Sequence, residues 1–277
     1  MLKLLLFVFT FTILCLTGAQ AQGWSPAGAR SMSLANASVA LGDVWSYHHN
    51  PGALATLKKT SFGVSYEDRF SLKELQSQAL VVAHPLKKGV VSLGAQFYGY
   101  SAYRTTRVGL GYSLQLSEKI FAGVQLNYQG LKIAGYGQKG TVSGEAGILA
   151  KINDQVSFGF SVLNLNQAKL VPAQNDRFST YLRLGLAYNV SSKVILLAEA
   201  EKEVTSKLRP KGAMEYKFSD KFFLRIGVAA NPVELTFGTG LVFNKVLKMD
   251  LGTGWDQRLG WSPHLGFTFD LNGANDE

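Results

Sequence analysis

Charged residues in this chain recur at every second position of otherwise apolar segments. Glu67, Arg107, Glu145, Arg183, Glu199, Glu201, Lys211, Glu215, Arg225, Asp250 and Asp256 all lie on the polar side of such segments. Carboxylates, ammonium and guanidinium groups gathered in a confined space pair with one another. The chemistry expected of them is a structural ion network, with a polar conduit or ligand site as the functional alternative. His48-His49 beside Asp43 could suggest a metal, but adjacent residues rarely point at one ion, and His84 and His264 lie at the ends of separate segments, so no metal and no cofactor are expected. No Gly-x-Ser-x-Gly elbow is present to hold an acyl nucleophile. His264 would be the most plausible base; without an evident nucleophile and acid, no enzyme is expected.

These charges need walls to stand on, and period two supplies them. Ala122, Val124, Leu126 and Tyr128 alternate with Gly123, Gln125, Asn127 and Gln129. Leu182, Leu184, Leu186 and Tyr188 alternate with Arg183, Gly185, Ala187 and Asn189. Such segments are two-faced strands, apolar on one side and polar or small on the other. Counted from Phe62 to Leu271, about fourteen recur, an even number that suits an antiparallel transmembrane β-barrel of the all-β class. Gly109-Leu110-Gly111 and Gly238-Thr239-Gly240 fall within strands, where glycine marks close packing or a bulge instead of a phosphate cradle.

The connections sort into two alternating kinds. Tight polar turns at Pro85–Lys88, Ser117–Lys119, Asn153–Gln155, Ser191–Lys193, Ser219–Lys221 and Asn244–Lys245 alternate with longer ones at Asp68–Glu74, Gly99–Arg104, Ala134–Gly140, Asn166–Asp176, Glu203–Arg209 and Asp256–Pro263. Ala230–Glu234 is a short exception. Short periplasmic turns opposite longer outer loops are the barrel pattern, and an even strand count puts both barrel ends on the short-turn side. Aromatic residues near strand ends, Tyr98 and Tyr100, Tyr128 and Tyr136, Tyr181 and Tyr188, Trp255 and Trp261, are expected to form interface girdles. A soluble β-sandwich also alternates, but its faces do not call for this mixture of glycine, serine and both charge signs.

Of 277 residues, 47% are hydrophobic and 17% charged, with a formal net charge of +9. Residues 1–21 read as a signal peptide: Lys3 is the positive region, Leu4 to Leu16 the apolar core, and Ala19-Gln20-Ala21 the cleavage site. Cys15 lies within it, so the mature chain has no thiol for disulfides or thiolate ligands. An exported chain rarely meets nucleic acid, which makes anionic outer-membrane lipids the expected partner of the positive charge. The division expected is a hatch over 22–58 and a barrel over 59–277.

Between signal and barrel stands a run of small residues from Gly28 to Ala53, too poor in large apolar groups to make a core of its own. Its expected place is inside the barrel as a plug, entering from the periplasmic mouth. Gly28-Ala29-Arg30, the stretch Ser31 to Gly42, and Asn50-Pro51-Gly52-Ala53 resemble the N-terminal signature of the FadL and PorV/PorQ outer-membrane barrels. That resemblance implies a bacterial outer-membrane protein whose hatch carries Gly28, Arg30, Asn50, Pro51 and Gly52. It also implies one of two functions. Modest outer loops leave little room for ligand capture, so the expectation is a non-enzymatic accessory of type IX protein secretion that docks secretion-system proteins. The alternative is a FadL-like transporter that passes hydrophobic small molecules.

Overall fold

Alternation in the sequence becomes a closed wall in the structure. A computed structural model describes residues 26–171 and 176–271; the signal peptide expected over 1–21 lies outside these. In chain order the strands are β1 (Thr60–Asp68), β2 (Gln76–Leu86), β3 (Gly89–Gly99), β4 (Tyr103–Gln115), β5 (Ile120–Ile133), β6 (Gly137–Lys151), β7 (Val156–Leu163), β8 (Lys169–Val171) and β9 (Asp176–Arg177). They continue as β10 (Tyr181–Ser191), β11 (Val194–Glu203), β12 (Arg209–Ser219), β13 (Phe222–Ala229), β14 (Glu234–Val242), β15 (Leu247–Asp256) and β16 (Gly260–Leu271). All but β8 and β9 form one closed barrel of antiparallel neighbours, fourteen strands in all, with β16 returning to pair with β1. The strands β8 and β9 form a separate two-stranded ladder within the β7–β10 connection.

Closure leaves no unpaired edge, the condition for backbone to cross a bilayer as strands. Parity then decides which side meets lipid. On β5, Val124 and Leu126 are 61% and 65% exposed, while Gln125 and Asn127 between them are 2% and 0% exposed. Hydrophobic residues thus face outward and polar ones inward, the reverse of a soluble core. No helix among the described residues is long and apolar enough to cross a membrane; the crossing is made by strands.

Two details differ from the sequence expectation. The outer connections are shorter: β4 begins at Tyr103, β6 at Gly137 and β16 at Gly260, so pairing continues through segments expected to be loop. Ladder hydrogen bonds need no apolar side chains once strands project into water, and Trp255 opposite Trp261 and Asp256 opposite Gly260 extend the β15–β16 ladder outward. The girdle is also smaller than expected. Tyr98 and Tyr181 share the inward parity of Gln96 and Arg183, whereas Tyr128, Tyr188 and Trp261 face out. Strand-end position alone does not reveal parity.

Residues 26–59 lie inside the barrel. Two short helices, α1 (Ala29–Met32) and α2 (Ser46–His49), and a 3-10 turn (Pro51–Thr56) make up this segment. Leu34, Ala37, Ala40, Leu41, Ala53 and Ala55 pack with the inward-facing Phe121, Leu149, Ala187 and Leu197 of the wall. Val44, Trp45, Tyr47 and Leu54 pack with Ala79, Val81, Ala83 and Val90. Segment and wall therefore share one core.

Candidate functional site

The lumen is filled at the level of this segment, and small residues set how closely the two backbones meet. Gly28 adopts φ 96°, and a side chain there would lie 2.5 Å from the Trp45 ring. Across the wall, a Cβ on Gly94 would lie 2.5 Å from the Tyr47 ring, one on Gly123 2.5 Å from the Pro51 carbonyl, one on Gly185 2.6 Å from Val39, and one on Gly227 2.6 Å from the Ala35 nitrogen. Gly147, Gly159 and Gly238 would clash more severely, with Asn50, Val39 and Ser33. Gly52 rests against the backbone of Gly147. Glycine on the inward face thus admits the hatch around most of the circumference, as the Gly238-Thr239-Gly240 pattern suggested for one strand.

Asn50 organises the end nearest β1. Its Oδ1 accepts from Gly52 N at 3.0 Å, and its Nδ2 donates to Val39 O at 2.7 Å and Ile148 O at 2.9 Å. Pro51 O accepts from Ser113 Oγ at 2.6 Å, and His49 O from Ser161 Oγ at 2.9 Å. Turn, hatch and wall are stitched at one residue.

All ten barrel charges singled out above, from Glu67 to Asp250, are buried on the inward face. Nine of them gather into three groups. Arg107 meets Glu145 at 2.6 Å. Arg183 meets Glu199 at 2.7 Å, while Lys211 reaches Glu199 at 3.0 Å and Glu201 at 2.7 Å. Arg225 bridges Glu215 and Asp250, each at 2.6 Å. The hatch joins the last two groups. Arg30 reaches Glu215 at 2.7 Å and Asp43 at 2.9 Å; burial works against its charge, and the two carboxylates more than offset that, holding the guanidinium protonated. Val39 N donates to Glu199 at 2.9 Å, and Asn36 O accepts from Arg183 Nη2 at 2.6 Å. Glu67 joins none of these groups. Asp256 faces inward at the outer end of β15.

The histidines serve packing. His49 Nε2 donates to Ala27 O at 2.8 Å while Nδ1 lies 3.0 Å from Arg183 Nη1, an arrangement that requires neutral imidazole. Burial, reinforced by Arg183, holds His49 well below the ordinary histidine range, and burial with Arg107 does the same to His48. Burial pushes the Tyr47 hydroxyl up to about 12. No group of three or more metal-type side chains occurs among the described residues. Sequence reasoning missed one contact: Ser33 Oγ lies 3.0 Å from His264 Nε2, joining α1 to β16. Two residues 231 positions apart carry no local pattern that would reveal it.

No protein-family model matches the sequence, and no curated protein matches it. Solved structures do. A "CymD monoaromatic hydrocarbon channel" superposes with a TM-score of 0.69 at 12% identity, covering 91% of this chain and 98% of the other. A Pseudomonas aeruginosa FadL homologue gives 0.65 at 13% identity, covering 91% and 100%. The chain has the FadL-type barrel fold. The Ralstonia pickettii toluene transporter TbuX gives 0.64 at 10% identity, again covering 91% and 100%. Fourteen strands with an apolar outer face make this FadL-type barrel an outer-membrane protein. The first and third of these structures are described as a hydrocarbon channel and a toluene transporter.

Proposed function

We propose that this FadL-type barrel passes small hydrophobic molecules across the outer membrane, with residues 28–53 as the element that closes its lumen. The observation that carries the reading is the seating of the hatch: it fills the lumen, shares its core, and is bound to the wall by ion pairs and backbone contacts. A polar wall with an occupied centre suits a channel that must exclude ions while closed. The printed descriptions of the similar structures, hydrocarbon channels and a toluene transporter, support the same reading. They favour the transporter alternative over the secretion accessory expected from the short outer loops.

Reconstitution tests it. Proteoliposomes carrying the full chain should take up labelled toluene faster than empty ones, and deletion of 28–53 should convert a closed barrel into one with steady single-channel conductance in planar bilayers. Absence of uptake, together with capture of type IX secretion proteins by the intact barrel, would instead establish the accessory role.

A further inference from the structure

Glu67 stands apart from the other charged residues of the lumen. It is only 8% exposed, yet it forms no hydrogen bond and no ion pair among the described residues, with Arg69 contributing at most a longer-range attraction. Its neighbours across the sheet are Ser77 on β2 and His264 on β16. Both are engaged elsewhere, Ser77 Oγ accepting from Gln96 Nε2 at 3.2 Å and His264 lying 3.0 Å from Ser33. Two residues below it on the same inward row, Ser65 accepts from the hatch at Gly28 N. Glu67 is therefore the first carboxylate on the outer side of the hatch along this wall.

A carboxyl group that reaches the lumen without a protein donor beside it is left to water, and a ligand hydroxyl that reaches it can take that water's place. We infer that Glu67 is the polar contact of a ligand site above the hatch, and that the molecules it takes are apolar bodies carrying a hydroxyl donor, such as alkylphenols. A ligand carboxylate would bring acceptor against acceptor. Such a ligand would turn instead to Arg107, whose Nε and Nη1 have no hydrogen-bond partner but whose charge is already met by Glu145. This inference rests on the transporter reading and names its substrate class.

Calorimetry on the full chain in lipid nanodiscs tests it with 4-pentylphenol, pentylbenzene and 4-pentylbenzoate, taking empty nanodiscs as the partition baseline. Wild type should bind pentylphenol about tenfold more tightly than pentylbenzene. Glu67→Leu should level the two while still binding pentylbenzene, and Glu67→Gln, which keeps the shape and an acceptor oxygen, should fall between. Heat-modifiable gel migration of each variant shows that the barrel has folded. Equal binding of phenol and benzene by wild type, a phenol preference that survives in Glu67→Leu, or tightest binding of the benzoate would each overturn the inference and leave the transporter reading standing. If no probe binds above the empty nanodisc, both fall together.

Discussion

The two ends of the hatch are held by different physics. At Asn50-Pro51-Gly52 the attachment is one of shape: backbone lies on backbone, glycine faces glycine, and the hydrogen bonds run to carbonyls of the hatch and of β6. At Arg30 it is one of charge, through Glu215 and Asp43, and the side chain retains 22% exposure. Shape complementarity is lost abruptly, because a packed interface has no half-seated state. An ion pair near solvent weakens gradually with salt. The Arg30 ion pairs are therefore the salt-sensitive part of the attachment, and the Asn50 contacts the salt-independent part.

The sharpest way to break this contrast is Gly147→Val. A side chain there drives into Asn50 and Pro51, and overpacking costs about 1–3 kcal/mol or more where backbone must move. The variant should fold as a barrel on heat-modifiable gels yet leave the hatch undocked, read as steady conductance and protease cleavage between residues 28 and 53. Of comparable size is Arg183→Met. It leaves Glu199 and Glu201 with Lys211 as their one cationic partner among the described residues and removes the donor to Asn36 O, so a loss of about 3–5 kcal/mol in hatch docking is expected. Hydrogen exchange of the hatch amides would measure it. Arg30→Gln should cost about 1 kcal/mol, since Arg225 still partners Glu215 and solvent screens the site. Its expected signature is more frequent brief openings in single-channel records, enhanced in low-salt comparisons with wild type.

The smallest effect is on pH. His48 and His49 are held below their ordinary values when docked, so the undocked hatch binds protons more readily than the docked one. Their contribution to docking is full above about pH 6.5 and falls as pH drops through that value toward the docked pKa. Opening frequency should therefore rise on acidification, and a pH-independent record would remove the histidines from the account.

Much of the barrel was legible because β-pairing in a membrane enforces a local code. Leu182 to Asn189 shows by parity alone that Arg183 faces inward, and the alternating turns locate both barrel ends. Strand limits were less legible, since Gly137 to Gly140 pairs on the outer side of the belt without any apolar signature. The partners of the buried charges were not legible at all. That Arg30 meets Glu215 depends on where a 185-residue excursion closes around the lumen, which no window of sequence contains. Glu67 illustrates both limits: its inward direction follows from Phe62, Val64 and Tyr66 facing out, but its isolation follows from what six other side chains do.

Only Leu57, Lys58 and Lys59 separate the 3-10 turn from β1. Three residues span at most about 10 Å. An undocked hatch therefore remains at an effective concentration of about millimolar or higher beside its own seat. On the proposed transport reading, any molecule crossing the lumen would compete with this tethered occupant, and openings would be brief and reseal without a partner.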